Sequence, residues 1–138
     1  MAIDVPTAMT ITTLYWGVAV AGATPTAGAN WAGLLDASGT LLGSAGIDAD
    51  ITSLGRKAAT IGTLNLVAAT YYASLIFNAA TAPQVPRCGG QGGPTMLNGA
   101  LTGANLLYAT NGTGKTAMPS SITMSSNIGG QGYWAAIA

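Results

Sequence analysis

Glycine and proline interrupt this chain roughly every 5 to 12 residues, and this spacing constrains the fold more than any other feature of the sequence. The 138 residues include 20 Gly and 6 Pro, and both residue types destabilise the interior of a helix. No window keeps a helical apolar period through several turns, whereas the apolar runs are rich in Thr, Val, Ile and Tyr, which favour strands. The sequence therefore predicts an all-β fold, an antiparallel, jelly-roll-like β-sandwich with little or no helix.

The length predicts a single domain spanning residues 1–138, because a chain of this size can bury one sizeable core but not two. One segment differs from the rest in composition. Residues 79–99 contain Pro83, Pro86 and Pro94 together with the glycine-rich run Cys-Gly-Gly-Gln-Gly-Gly at 88–93. We expect a long Gly/Pro-rich loop there, without strand or helix.

Charged residues make up only 6% of the chain, four Lys and Arg against four Asp, where an ordinary domain has about 25%. Four cations cannot form the basic surface that neutralises phosphates, so we expect no nucleic-acid partner. The chain has no His, which excludes a His-ligated metal and a Ser-His-Asp triad. A single cysteine, Cys88, excludes an intrachain disulfide and a thiolate zinc cluster. We expect a protein that is not an enzyme and that uses no cofactor or metal.

An uncharged stretch from Val5 to Leu35 raises the question of a membrane segment. A spanning helix needs about 20 mostly apolar residues, and the best window, 14–23, has only half that length. The first residues include Asp4 and Pro6, where a signal peptide would carry positive charge. We therefore expect no membrane partner, and synthesis in the cytoplasm without export by this route.

The clearest local pattern is a β-hairpin within 31–44. Two apolar runs flank Asp36-Ala-Ser-Gly39, in which the Asp side chain can cap backbone amides and Gly tolerates a positive φ. An earlier strand is predicted at 10–21, where alternation assigns one face to the core. The residues of that face are Thr12, Leu14, Trp16, Val18 and Val20.

Other strands are predicted along the rest of the chain. We expect a second antiparallel pair, 63–67 and 71–78, joined by a turn at 68–70. Region 46–62 is interpreted as a helical turn or an ordered loop. The later strands are predicted at 105–110, 121–125 and 132–137.

Two polar patterns suggest chemistry. Residues 109–116 read Ala-Thr-Asn-Gly-Thr-Gly-Lys-Thr, which fits a permissive P-loop pattern. Pro119 follows too closely for the helix that a P-loop needs, so we interpret the segment as an Asn-Gly turn between two strands. Asp48 and Asp50 could share a strand face and bind Ca²⁺ or transfer protons. Two carboxylates make a poor site, and we interpret them as part of a solvated loop.

Aromatic residues are the remaining candidates for a binding site. Neighbouring aromatic residues on a strand point to opposite faces, so one of each pair should lie on the surface. Exposed Tyr and Trp are typical of protein interfaces and of sugar platforms. We favour an interface, and the candidate residues for it are Trp31, Tyr72, Arg87, Tyr133 and Trp134.

Three segments resemble a β-sandwich domain of structural proteins in tailed phages that infect actinobacteria. They are the opening 1–6 (Met-Ala-Ile-Asp-Val-Pro), the Trp-containing hairpin at 29–44, and 70–83, a Tyr-Tyr strand that ends in Thr-Ala-Pro. The closing run 132–136 is similar to the last aromatic strand of that family. The resemblance implies a β-sandwich of the kind found in minor tail proteins, fibres and head-surface proteins, and it implies no catalytic residues.

Family members often carry an upstream shaft, whereas here the first shared segment stands at residue 1. The resemblance therefore favours a capsid decoration protein on the outer surface of the phage head. The implied partners are the major capsid protein and further copies of this chain, with a trimer favoured. A low charge suits such a permanent interface. The alternative is a tail fibre or receptor-binding module that contacts host glycans.

Overall fold

The computed structural model describes residues 1–87, 101–130 and 132–138, and its fold is all-β. In chain order the strands are β1 (Ala2–Val5), β2 (Met9–Val18), β3 (Ala23–Pro25), β4 (Trp31–Leu35), β5 (Leu41–Gly46), β6 (Gly55–Leu66), β7 (Ala69–Ile76), β8 (Ala79–Thr81), β9 (Ala109–Thr110), β10 (Ile128–Gly129) and β11 (Ala135–Ile137). Short 3-10 turns are η1 (Asp50–Thr52), η2 (Gly103–Asn105) and η3 (Met124–Ser126). The described residues contain no α-helix, in agreement with the sequence-based prediction.

Two antiparallel sheets pack face to face as a β-sandwich. Sheet A has the strand order β1-β7-β4-β5, and sheet B has the order β11-β2-β6. Two further ladders pair β3 with β8 and β9 with β10. Both sheets contribute to one apolar core, whose largest members include Ile11, Leu14, Trp16, Leu34, Ile61, Leu66 and Tyr71.

The core face predicted for β2 is correct in the middle of the strand and wrong near its start. Leu14, Trp16 and Val18 are buried, whereas Thr12 is exposed and Ile11 is buried instead. The pairing with β6 shifts register between Ile11 and Thr13. The amides of Thr12 and Thr13 both donate to the Ala138 carbonyl at 2.8 Å, so two residues of β2 oppose one residue at this bulge, which reverses the face that the earlier residues occupy. Val20, also assigned to the core, lies beyond the end of β2 and is 49% exposed.

The predicted hairpin is confirmed as β4 and β5. One carboxylate oxygen of Asp36 accepts the amides of Ser38 and Thr40, each at 2.9 Å. Gly39 has a φ of 89°, and its amide donates to the Asp36 carbonyl at 3.0 Å. The turn is therefore held by the side-chain cap and the left-handed glycine that the sequence indicated.

The predicted pairing of the next two strands is wrong, although both strands exist. β6 pairs with β2 in sheet B, and β7 pairs with β1 and β4 in sheet A. The chain crosses between the sheets at a tyrosine corner. The Tyr71 hydroxyl donates to the Val67 carbonyl and accepts the Val67 amide, both at 3.1 Å. These bonds replace the ladder bonds that a hairpin would have supplied.

Several weaker assignments also need correction. Region 46–62 contains η1 but also the first two thirds of β6, which was not predicted as strand. The strand predicted at 121–125 is mostly irregular chain and η3, and that at 105–110 shortens to β9. The strand predicted at 132–137 shortens to β11. The predicted loop at 79–99 begins with a strand, β8, while its residues 88–99, Cys88 among them, lie outside the described residues.

The outer faces of the two sheets differ. Sheet A is covered by residues 118–124, since the Met118 side chain lies over Gly33 of β4 and the Ile122 amide donates to the Gly39 carbonyl at 2.9 Å. Gly33 is buried as a result. Among the described residues, no segment covers the whole outer face of sheet B in this way. This asymmetry leaves the outside of sheet B as a candidate contact surface.

Candidate functional site

The open surface of sheet B is built from small and aromatic residues, and we call it the aromatic face. Its members come from β2, β6 and β11 and the residue before β11, and they are Thr13, Tyr15, Arg56, Ala58, Thr60, Trp134 and Ala136. They occupy this side because Leu14 and Trp16, the residues between them in β2, point into the core. Only Arg56 among these seven residues is charged.

Cross-strand pairing fixes the centre of the aromatic face. Tyr15 lies opposite Ala58 on one side and Ala136 on the other, while Thr13 lies opposite Thr60. The guanidinium carbon of Arg56 stands 4.8 Å from the centroid of the Tyr15 ring. A cation at this distance is attracted by the ring, which orders the arginine on the sheet. The result is a flat surface of alanines and threonines around one aromatic–arginine stack.

Trp134 forms the border of the aromatic face, where residues 86 and 87 pack on sheet B. The Trp134 amide donates to the Pro86 carbonyl at 3.2 Å. The Pro86 ring covers Gly17, where an added Cβ would lie only 2.9 Å from the proline Cγ. Glycine is therefore required at this position for close approach. Trp134 is 41% exposed.

Three of the five predicted interface residues meet at this border. Arg87 forms a β-bridge with Tyr133, next to Trp134. Trp134 faces outward, and Arg87 is exposed. Tyr133 points inward instead: its hydroxyl donates to the Ala73 carbonyl at 2.7 Å, and burial raises its pKa. Tyr133 thus has a role in packing, whatever else it contacts.

The other two predicted residues lie away from the aromatic face. Trp31 begins β4 in sheet A, and its indole Nε1 donates to the Gly28 carbonyl at 3.0 Å. Tyr72 is half-buried on the side of β7 that residues 106–127 approach. Whether either residue contacts a partner stays a prediction. Tyr15 and Arg56 were missed, although the position of Tyr15 next to the buried Trp16 is what strand alternation predicts for a surface aromatic.

Asp48 has a structural role, because it holds the segment that precedes β4. Asp48 accepts the Gly28 amide at 2.6 Å and the amide side chain of Asn30 at 2.8 Å, and these bonds lower its pKa. Asn30 itself is fully buried and accepts the Asn78 amide at 2.7 Å. Within the part of the chain that the structure describes, no three His, Cys, Asp or Glu residues come together as a metal site.

Among the described residues after the P-loop-like segment 109–116 there is no α-helix, as expected from Pro119, and the only helical turn that follows is the 3-10 turn η3. Gly112 and Gly114 both have positive φ, 75° and 69°. The interpretation as a hairpin turn is wrong, because β9 pairs with β10 at 128–129 and not with a strand that follows directly. The segment instead forms one wall of a cleft over sheet A.

Comparison with protein-family models, with curated proteins and with solved structures gives no match to this chain. The residues described at 1–87, 101–130 and 132–138 include no helix with the length and apolar character needed to cross a membrane.

Proposed function

We propose that this chain is a phage virion structural protein that decorates the outer face of the capsid, and that the aromatic face makes its contacts within the shell. The partners in this proposal are the major capsid protein and neighbouring copies of the chain, arranged as trimers. The phage assignment rests on the sequence resemblance. The contact role is inferred from the aromatic face itself, which carries one charge and which no described segment covers as residues 118–124 cover sheet A.

The composition of the aromatic face supports contact with another protein surface. Alanine and threonine side chains lose little conformational entropy when they are covered, and Tyr15, Trp134 and Arg56 belong to the residue types enriched at interface centres. With only one charge present, little desolvation of charge opposes association. Binding through this face should therefore persist at high ionic strength.

The size of the aromatic face indicates how the contact would work. Three strands about 4.8 Å apart and about 14 Å of strand length give roughly 200–300 Å², against about 800 Å² per partner in a stable interface. A single pair of faces is therefore too small to hold two free copies together. On a shell, each copy would also contact capsid subunits and neighbouring copies, and these linked contacts would raise the overall affinity.

A binding experiment on capsids that lack the protein tests this proposal. Ala58→Arg places a long charged side chain in the middle of the aromatic face and should abolish decoration, measured as copies per capsid after sedimentation. Ala37→Arg is the matched control, because Ala37 is also exposed but lies in the turn between β4 and β5. Equal occupancy for the Ala58→Arg variant and the unaltered chain would exclude the aromatic face as the contact.

A second candidate function is the binding of host glycans by a tail module. The exposed indole of Trp134 beside Tyr15 and Arg56 favours it, since aromatic rings and a guanidinium can contact sugars. Microscopy of intact virions with a labelled protein distinguishes the two. Label on the head supports decoration, whereas label on the tail alone, with glycan binding that Trp134→Ala removes, supports the module.

A further inference from the structure

A cleft lies over sheet A, on the other side of the molecule from the aromatic face. It has a volume of about 450 Å³ and lies between β7 and residues 106–127. Apolar side chains dominate its lining and include Phe77, Val85, Leu106, Ile122 and Met124. Sites for small organic ligands typically have volumes of about 300–1,000 Å³ and apolar walls with a few polar groups. The cleft fits that description.

One wall of the cleft is the loop 111–115, Asn-Gly-Thr-Gly-Lys, and side-chain hydrogen bonds hold it at both ends. The Asn78 side chain donates to the Lys115 carbonyl at 2.7 Å. At the other end, the Asn111 side chain donates to the Thr123 carbonyl at 3.0 Å and to the Asn127 side chain at 2.7 Å. The loop is therefore positioned by the sandwich and by the segment that covers it.

The backbone of this loop presents unpaired donors. The amides of residues 112–116 donate no hydrogen bond to any described group. Gly112 and Gly114 have φ of 75° and 69°, and alternation of such residues with ordinary ones turns successive amides toward one side, as in anion-binding nests. Backbone donors need a partner, which water or a ligand must supply here.

The charge at the cleft also favours an anion. Among the described residues that line the cleft, Lys115 has the only charged side chain, and none is a carboxylate. Its side chain lies beside Gly112, where an added Cβ would be 3.6 Å from the lysine Cε and 3.8 Å from Nζ. The α-amine of Met1, also at the cleft, donates to the Ala73 carbonyl at 2.8 Å, and burial lowers its pKa to about 5. The positive charge is thus concentrated at the loop.

We propose that this cleft binds a small amphipathic anion, with its apolar body between β7 and residues 106–127 and its carboxylate or phosphate on the loop 111–115. The amides of 112–116 and the Lys115 ammonium would bind the anionic head, because hydrogen bonds to a charged acceptor are stronger than neutral ones. The lining has no carboxylate to hold a magnesium ion, so a magnesium–nucleoside triphosphate is not the ligand class inferred.

Titration calorimetry of the full chain tests the proposal with three ten-carbon probes below their micelle concentrations: decanoate, decyl phosphate and decanol. The expected result is that at least one anion binds about tenfold or more tightly than decanol, as a charge-assisted contact requires. Which anion binds more tightly identifies the head group. Acetate and inorganic phosphate, which lack the apolar body, should bind at least tenfold more weakly than the ten-carbon anions.

Two variants locate the anion on the loop. Lys115→Gln should weaken binding of the preferred anion about tenfold, while Lys57→Gln, at a half-buried lysine of β6 outside the cleft lining, should leave it unchanged. Circular dichroism confirms that both variants are folded. Equal affinities for decanol and both anions, no binding of any probe, or equal effects of the two lysine variants would each overturn the proposal. If the Lys115 variant fails to fold, the affinities of the unaltered chain for the two anions and for decanol still test whether the cleft binds an amphipathic anion.

Discussion

Gly43 is the position where the packing of the two sheets is most sensitive to one methyl group. It lies in β5, and a Cβ built on it would collide with the backbone carbonyl oxygen of Ile61 in β6. Ordinary contacts of a carbon need about 3.5 Å or more. The carbonyl belongs to the backbone of a paired strand and cannot rotate away, so the edges of sheets A and B would have to separate. We therefore expect Gly43→Ala to be strongly destabilising.

The size of the effect follows from the cost of overpacking a core, about 1–3 kcal/mol. Since the clash is with backbone, the upper part of that range is expected, about 2–3 kcal/mol. For a domain of this length each kcal/mol lowers Tm by about 4 °C, so Tm should fall by roughly 8–12 °C. Urea unfolding followed by circular dichroism measures the free energy, and thermal unfolding measures Tm.

Gly46→Ala is the matched control in the same strand. Nothing lies within 4 Å of a Cβ at Gly46, and its φ is outside the left-handed region. The same chemical change there should be neutral, or stabilising by about 0.4–1 kcal/mol because the unfolded chain loses freedom. If Gly43→Ala and Gly46→Ala had equal free energies of unfolding, the close approach of β5 to β6 would be refuted.

Three further predictions concern the corner, the sheet edge and the pH dependence. Tyr71→Phe removes both hydrogen bonds of the corner and should cost about 1–2 kcal/mol, whereas Tyr72→Phe, whose hydroxyl makes one long 3.5 Å bond, should cost under about 0.5 kcal/mol by urea unfolding. Lys57 places a positive charge on β6, an edge strand of sheet B, and charges on edge strands oppose strand pairing between molecules. Lys57→Val should therefore increase self-association in sedimentation velocity, and an unchanged monomer would contradict this role. Hydrogen bonds from Ser38 and Thr40 lower the pKa of Asp36, so its contribution to stability is present above the ordinary Asp range and is lost as pH falls through the folded-state value. The free energy of unfolding, measured at decreasing pH, should therefore fall less steeply in Asp36→Asn than in the unaltered chain. Identical curves for the two proteins would exclude this contribution of Asp36.

The candidate site could be predicted only in part. Trp134 was identified from its type and position near the chain end, and the structure places it on the aromatic face. Alternation placed Trp16 on the core face of β2 and Tyr15 on the outer face, which is correct, but Tyr15 was not chosen as an interface residue. Arg56 lies in a segment that was not predicted as strand, and its contact with Tyr15 depends on the pairing of β6 with β2.

Local chemistry alone determined the all-β class, the hairpin at Asp36–Gly39 and the burial of Leu14 and Trp16. Glycine, proline and side-chain alternation act on residues close together in the chain, so their effects can be seen in the sequence. Tertiary structure decided that β6 and β7 belong to different sheets. It also decided that residues 118–124 cover sheet A, whereas no described segment covers the aromatic face of sheet B in the same way. Each of these depends on contacts between residues far apart in the chain, such as Met118 with Gly33, and no local pattern specifies which distant strand or segment will supply the partner.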